Sequence, residues 1–166
     1  MNNKIKNSTA ISYNNINFKS KLELSCYKKA EMRGIKLLYE KEKIVLMKSF
    51  YLDNNSTIFY SSIKKNLEQN NRKLLDLTYT LDFTFSIKKY KFFIDTKGFP
   101  NDTYPIKKKL FLEKLNSHEY IIKKNNLYIT IKKNKKIYIF FEPHSVKEIN
   151  QMLDIIEKLK NNENTN

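Results

Sequence analysis

Apolar and polar residues alternate along residues 78–87, TYTLDFTFSI, near the middle of the chain. Successive side chains of a β-strand point to opposite faces, so this alternation predicts one strand with an apolar face and a polar face. The apolar face is predicted to contain Tyr79, Leu81, Phe83, Phe85 and Ile87, and the polar face Thr80, Asp82, Thr84 and Ser86.

The next segment, KYKFFIDTK at 89–97, predicts a second strand. Folding it back on the first strand about Lys88 and Lys89 brings the apolar residues of both strands into line. The resulting pairs are Phe83 with Ile94 and Phe85 with Phe92. In this register Asp82 lies directly opposite Asp95 on the other face of the hairpin.

Three segments predict helices because each combines apolar residues at helical spacing with a recognisable first turn. They are 18–34 with Ser20 as N-cap, 104–116 with Pro105 in the first turn, and 145–160 with Ser145 and Glu148 as a capping box. Further strand-like runs lie at 43–52, 119–124, 127–133 and 137–142, whereas the polar segment 53–72 has no assigned structure.

The order of helix, strands, helix, strands and helix predicts a mixed α/β or α+β fold. We expect a single domain over residues 1–166, with flexible ends at about 1–10 and 161–166. A chain of 166 residues that is 40% hydrophobic can bury a sizeable core.

The formal net charge of +15 favours an acidic partner, with nucleic acid ahead of an anionic membrane. The alternative is coding bias in an A/T-rich genome, because Arg33 and Arg72 are the only arginines among 32 basic residues. Cys26 is the single cysteine, which excludes an internal disulfide. With no signal-peptide pattern and no apolar run of about 20 residues, we expect a cytoplasmic protein without a membrane partner.

Asp82 and Asp95 carry the candidate chemistry. Like charges at directly paired positions are destabilising, so the pair needs a compensating positive charge. Lys97, two residues beyond Asp95 on the same face, could supply it, and so could Mg²⁺ bound by carboxylate oxygens. The alternative is a surface hairpin in which Lys97 pairs with one aspartate and solvent surrounds the other.

Glu23 is a third acid near this pattern, and two interpretations of it stay open. Ser20 and Glu23 form a capping box at the start of the first predicted helix. The same glutamate lies beside the apolar stripe of that helix, where it could join the two aspartates.

Five motifs within residues 11–111 resemble the small phage-type nucleases of the PD-(D/E)XK superfamily. They are INFKSKLELSCYKKA, GIKLLYEKEKIVLM, YTLDFTF, FFIDTKGF and YPIKKKLF. The chain departs from the family pattern at Leu81, where proline is common, and at Lys41 and Glu42, where many relatives have Gln-Pro. The family also does not supply the last three strands and the final helix, which are expected as C-terminal additions.

The resemblance implies a restriction-endonuclease-like core, with a mixed sheet flanked by helices, and hydrolysis of phosphodiester bonds with Mg²⁺, for which Mn²⁺ substitutes. It assigns Glu23 as the helix acid, Asp82 as the central metal ligand and Asp95 as the second acid. Lys97 becomes the motif lysine and Thr96 a further metal ligand. Relatives include Holliday-junction resolvases of the phage endonuclease I type, which implies a homodimer if this chain resolves junctions.

Two groups of lysines are candidate contacts to a nucleic-acid backbone. Lys107, Lys108 and Lys109 form one group in the second predicted helix, and Lys19, Lys21, Lys28 and Lys29 form the other around the first. For each lysine the alternative is a solvated helix face. His118 and His144 have no metal-ligand spacing with another ligand.

Three hypotheses for function remain. The first is a Mg²⁺-dependent DNA endonuclease, with branched phage DNA as one candidate substrate in the host cytoplasm. The second is a non-catalytic module that binds DNA or a phage protein, and the third is a structural or packaging-associated phage protein. The complete set of three acids and one lysine favours the enzyme.

Overall fold

The structure, a computed structural model, describes residues 11–51, 73–98, 102–115, 123–124, 128–133 and 135–162. The helices in these ranges are α1 (Lys21–Met32), α2 (Tyr104–Leu115) and α3 (Val146–Asn162). The strands are β1 (Ile11–Tyr13), β2 (Ile16–Phe18), β3 (Leu38–Tyr39), β4 (Lys43–Met47), β5 (Phe50–Tyr51), β6 (Lys73–Leu74), β7 (Leu77–Thr80), β8 (Phe83–Ile87), β9 (Tyr90–Ile94), β10 (Lys123–Lys124), β11 (Tyr128–Lys133) and β12 (Lys136–Phe141).

The chain has a mixed α+β fold, as the sequence predicted. Its main sheet has the strand order β10-β11-β12-β9-β8-β3. β12 and β9 are parallel and the other neighbours are antiparallel, so the sheet is mixed. The predicted polar segment 53–72, the end at 1–10 and His118 lie outside the described residues, and Asn161 and Asn162 are still part of α3.

The predicted hairpin is confirmed. β8 and β9 pair antiparallel with Phe83 opposite Ile94, so the two residues between the strands are Lys88 and Lys89. Lys88 has a φ of 49°, in the left-handed region that suits glycine and asparagine better than lysine. The apolar pairing therefore sets the register, although neither turn residue favours this conformation.

The prediction of one continuous strand over 78–87 is wrong. The ladder breaks at Leu81 and Asp82, and β7 pairs with β4 in a separate two-stranded sheet. Tyr79 consequently packs in a different apolar cluster from Phe83. The predicted strand 43–52 is likewise divided, because β4 pairs with β7 and β5 with β6.

Both faces of the main sheet are covered, which explains the failure of the two-face prediction. On one face, α1 and α3 bury Phe83, Phe92 and Ile94. On the other, α2 and β7 bury Phe93, and Thr84, predicted to be on a polar face, is only 2% exposed. Alternation in the sequence therefore did not identify Thr84 as a buried position.

The C-terminal strands are not additions to a finished core. β12 lies in the middle of the sheet and runs parallel to β9. The pairing continues beyond both strands, because the backbone N–H of Asp95 donates to Phe141 at 3.0 Å and that of Lys97 donates to Pro143 at 3.0 Å. Backbone hydrogen bonds to residues 141 and 143 thus hold the two candidate site residues in place.

The predicted helix caps are present. The backbone N–H of Glu23 donates to the Ser20 hydroxyl at 3.1 Å, and that of Glu148 donates to the Ser145 hydroxyl at 3.2 Å. Pro105 lies in the first turn of α2. None of the helices in the described ranges is long and apolar enough to cross a membrane.

We expect Lys88→Asn to raise the free energy of unfolding by up to about 1 kcal/mol, because asparagine tolerates the left-handed conformation. Chemical denaturation measures the change. Lys89→Asn is the matched control, since Lys89 is not among the described residues with positive φ, and we expect a change within about 0.5 kcal/mol. Destabilisation by Lys88→Asn would contradict the turn geometry.

Candidate functional site

A cavity of about 510 Å³ lies where β8 begins and β9 ends. It contains every acid and the motif lysine that the resemblance assigned, together with Thr96. Its lining residues are Lys19, Glu23, Glu40, Thr78, Tyr79, Thr80, Asp82, Asp95, Thr96, Lys97, Thr103, Tyr104 and Lys107.

The hairpin register brings the two aspartates together. Asp82 directly precedes β8 and Asp95 directly follows β9, so they are the next pair beyond Phe83 and Ile94. Asp82 is 9% exposed and Asp95 only 1%. The alternative of a solvated surface hairpin does not describe these carboxylates.

Asp82 is held from across the end of the hairpin. Its Oδ2 accepts hydrogen bonds from the Thr96 backbone N–H at 2.7 Å and from the Thr96 hydroxyl at 2.8 Å. Thr96, assigned by the resemblance as a metal ligand, therefore uses its side-chain oxygen to orient Asp82. Within the described residues, no hydrogen bond or ion pair reaches Oδ1 of Asp82.

Asp82 is difficult to ionise in this setting. Burial raises the pKa of Asp82 to about 7, and the negative charge of Asp95 acts in the same direction. The Lys97 ammonium and the hydrogen bonds from Thr96 oppose this increase. A bound cation would favour the ionised form of Asp82 in the same way.

Among the described residues, Tyr79 and Lys97 both donate to Asp95. The Tyr79 hydroxyl donates to Oδ2 at 2.6 Å, and the Lys97 Nζ lies 3.1 Å from Oδ1 and 3.0 Å from Oδ2. Lys97 also lies over the Tyr104 ring, with Nζ 4.5 Å from the ring centroid. Burial raises the pKa of Tyr79 well above its usual value, so its hydroxyl stays protonated as a donor.

Glu23 caps α1 and also lines the cavity. Its Oε1 accepts from the Ser20 hydroxyl at 2.9 Å, the same hydroxyl that caps the Glu23 backbone N–H. Its Oε2 accepts from the Lys19 backbone N–H at 2.9 Å and from the Tyr39 hydroxyl at 2.8 Å. Glu23 thus lines the cavity at 6% exposure while both of its oxygens already have donors.

The carboxylates can supply a two-acid site for a hard cation. Across the part of the chain that the structure describes, no three His, Cys, Asp or Glu side chains lie close enough together to hold a metal ion. Mg²⁺ usually keeps several waters and binds through one or two carboxylates plus substrate phosphates. Asp82 and Asp95 fit that requirement, since Oδ1 of Asp82 accepts no hydrogen bond from the described residues, and Glu23 is not part of the pair.

The candidate lysines divide into those at the cavity and those away from it. Lys19 and Lys107 line the cavity, and Lys19 forms an ion pair with Glu40 that raises its pKa. Lys108 instead pairs with Glu142. The other four do not line the cavity: Lys21, Lys28, Lys29 and Lys109.

Sequence reasoning missed the polar residues that surround the acids. Tyr79 had been assigned to an apolar strand face, and Glu40 lies in a connection with a φ of 46°. Tyr39 and Tyr104 are far from the aspartates in sequence. The one available signal was the hydroxyl group of each tyrosine within an otherwise apolar run, since a buried tyrosine hydroxyl usually finds a hydrogen-bond partner.

No protein-family model, curated protein or solved structure matches the chain. A proposal for function therefore depends on the residues of this cavity and on the motif resemblance.

The raised pKa of Asp82 gives the stability a pH dependence of known sign. An unfolded aspartate titrates near 3.9, whereas folded Asp82 titrates at about 7. Between these values the folded state holds a proton that the unfolded state lacks, so the free energy of unfolding falls as the pH rises from about 4 to about 7.

We expect Asp82→Asn to remove this decline, because the amide still accepts from Thr96 but carries no charge. At pH 8 its free energy of unfolding should exceed that of the wild type by at least about 1.4 kcal/mol, the equivalent of one pKa unit. Denaturation in EDTA at pH 5 and pH 8 measures this, with the exposed Asp102→Asn as control. An unchanged pH dependence in Asp82→Asn would assign the effect to another group.

Proposed function

We propose that this chain is a Mg²⁺-dependent DNA endonuclease that hydrolyses phosphodiester bonds at the cavity around Asp82 and Asp95. The observation that carries the proposal is the burial of two carboxylates at directly neighbouring positions, beside the ammonium of Lys97. Lys107 and Lys19 add positive charge at the same cavity.

The unfavourable free energy of burying two adjacent carboxylates supports a functional role for Asp82 and Asp95. Burying an ionised carboxylate is unfavourable, and a second one beside it increases the cost. Lys97 offers one formal positive charge against two negative ones. A divalent cation would let both acids be ionised together, and the all-oxygen donors suit Mg²⁺ or Mn²⁺.

The motif resemblance points the same way. It implies a helix acid, a hairpin with an aspartate on each strand, an Asp-x-Lys sequence and a basic helix after it. In this chain α1, the β8–β9 hairpin and α2 each contribute residues to one cavity. We infer a restriction-endonuclease-like core from this order.

The residues of the cavity have distinct parts in the proposed mechanism. Asp82 and Asp95 would hold the cation, which would activate water and stabilise charge on a phosphodiester oxygen. Lys97, within reach of Asp95, would orient the attacking water and exchange a proton with it at Nζ. Lys107 and Lys19 would contact the phosphates on either side of the scissile bond.

A DNA-binding module that does not cut is the second candidate. The observation in its favour is that Lys97 is paired with Asp95 and that both oxygens of Glu23 are engaged in capping and in the contact with Tyr39. No observation on the described residues favours a structural or packaging-associated protein.

Cleavage across a panel of substrates separates these candidates. The panel contains linear duplex, nicked duplex, single-stranded DNA and a four-way junction, each with Mg²⁺, Mn²⁺ or EDTA. We expect cleavage that requires the metal and is lost in Asp82→Ala. DNA binding without cleavage of any substrate would favour the binding module. Cleavage of the four-way junction would predict a homodimer, which a measurement of the oligomeric state then checks.

Lys97→Met tests the role of the motif lysine. The methionine keeps most of the apolar stem but removes the ammonium. If Lys97 takes part in proton transfer, cleavage should fall about 100-fold or more, the usual scale for such a group, while DNA binding in Ca²⁺ stays within a few-fold. Full recovery of cleavage at saturating Mg²⁺ would show that Lys97 only neutralises the aspartates.

Lys107→Ala and Lys108→Ala test the phosphate contacts. Lys107 lines the cavity, whereas Lys108 is engaged with Glu142. We expect Lys107→Ala to weaken DNA binding and to reduce the slope of log affinity against log salt by about 1, as for one lost phosphate contact. Lys108→Ala is the matched control on the same helix, and an equal effect in both variants would move the DNA contact away from the cavity.

A further inference from the structure

The candidate acid Asp95 is oriented from outside its own sheet. The Tyr79 hydroxyl lies 2.6 Å from Asp95 Oδ2, within the range of a charge-assisted O–H···O⁻ bond. Tyr79 is 5% exposed and Asp95 is 1% exposed. A hydrogen bond this short between two buried groups fixes the carboxylate better than a solvated contact would.

The ring that carries this hydroxyl is itself held in place. Tyr79 lies on β7 and pairs with Ile44 of β4. Its ring makes edge contacts with Phe111 at 5.5 Å and with Tyr104 at 6.5 Å, measured between centroids. The hydroxyl is therefore aimed at Asp95 by the β4–β7 sheet and α2, and not by the β8–β9 hairpin.

Asp95 is contacted by side chains from two different parts of the chain. Lys97 approaches both carboxylate oxygens from the same strand end, whereas Tyr79 approaches Oδ2 from β7. An ammonium that engages both oxygens competes with a cation for them. A second donor, anchored elsewhere, limits how far the carboxylate can turn towards Lys97.

We propose that Tyr79 is a positioning residue that holds Asp95 in the orientation in which it shares a divalent cation with Asp82. This proposal rests on the proposed function, because it names what prepares the same two-carboxylate site. Partners that orient metal ligands commonly change metal affinity or activity by about 10–100-fold when they are removed. Because the strand breaks after β7, Tyr79 does not share a face with Phe83, and its hydroxyl reaches Asp95.

The test compares the Mn²⁺ affinity of four proteins by calorimetry: wild type, Tyr79→Phe, Asp95→Asn and the double variant. Tyr79→Phe keeps the ring and its edge contacts and removes only the hydroxyl. We expect it to weaken Mn²⁺ binding about 10-fold or more. In the Asp95→Asn background the same change should have little further effect, because Tyr79 acts through Asp95.

If Tyr79 had only a structural role, Tyr79→Phe would lower the melting temperature in EDTA, and its effect on Mn²⁺ affinity would be the same with Asp95 or Asn at position 95. The matched control is Tyr138→Phe, since Tyr138 stacks on Phe93 in the same apolar cluster at 6.1 Å and has no carboxylate contact among the described residues. We expect its Mn²⁺ affinity to be unchanged. If Tyr79→Phe melts below the assay temperature, the Mn²⁺ affinities of all four proteins are compared at a temperature below its melting point.

The outcomes separate this inference from the proposed function. Mn²⁺ binding that Asp95→Asn weakens and Tyr79→Phe leaves unchanged would overturn the positioning role and leave the metal site intact. Additive losses from Tyr79→Phe and Asp95→Asn would also overturn it. A wild-type protein that binds no Mn²⁺ would overturn the two-carboxylate metal site itself, and the positioning role with it.

Discussion

The antiparallel register of β8 on β9 is the constraint on which the rest of the structure depends. Pairing Phe83 with Ile94 makes Asp82 and Asp95 neighbours just beyond the ladder. Two buried carboxylates at neighbouring positions repel one another, and the surrounding residues offset this repulsion. Hydrogen bonds from Thr96 and Tyr79 and the ammonium of Lys97 all reach these two acids.

The remaining elements keep this pair away from water and fixed in position. α1 and α3 cover one face of the sheet, and α2 and β7 cover the other. The carbonyl of Phe141, at the end of β12, accepts a backbone hydrogen bond from Asp95, and that of Pro143, just beyond β12, accepts one from Lys97. The site is thus assembled around one hairpin end from segments that are distant in sequence, and each segment contributes a hydrogen-bond donor, an acceptor or a covering surface.

Local sequence patterns predicted much of this arrangement. Residues 83–94 contain the apolar pairs, so the hairpin register followed from them even without a favourable turn. Ser20 and Ser145 identified the starts of α1 and α3, because N-capping is a contact within one helical turn. The convergence of Asp82, Asp95 and Lys97 also followed, since side chains two apart on a strand, or directly opposite on paired strands, share a face.

Only the tertiary structure decided which groups surround the acids. The break at Leu81 and Asp82 was not predictable from alternation, because apolar and polar residues keep alternating through it, whereas β7 pairs with β4 and β8 pairs with β9. Tyr79 reaches Asp95 through the pairing of β7 with β4. The pairing of the two carboxylates with their lysine followed from short-range spacing along the chain. Their burial, their hydrogen-bond donors and the choice of Lys107 over Lys108 at the cavity came from long-range packing, which no local pattern encodes.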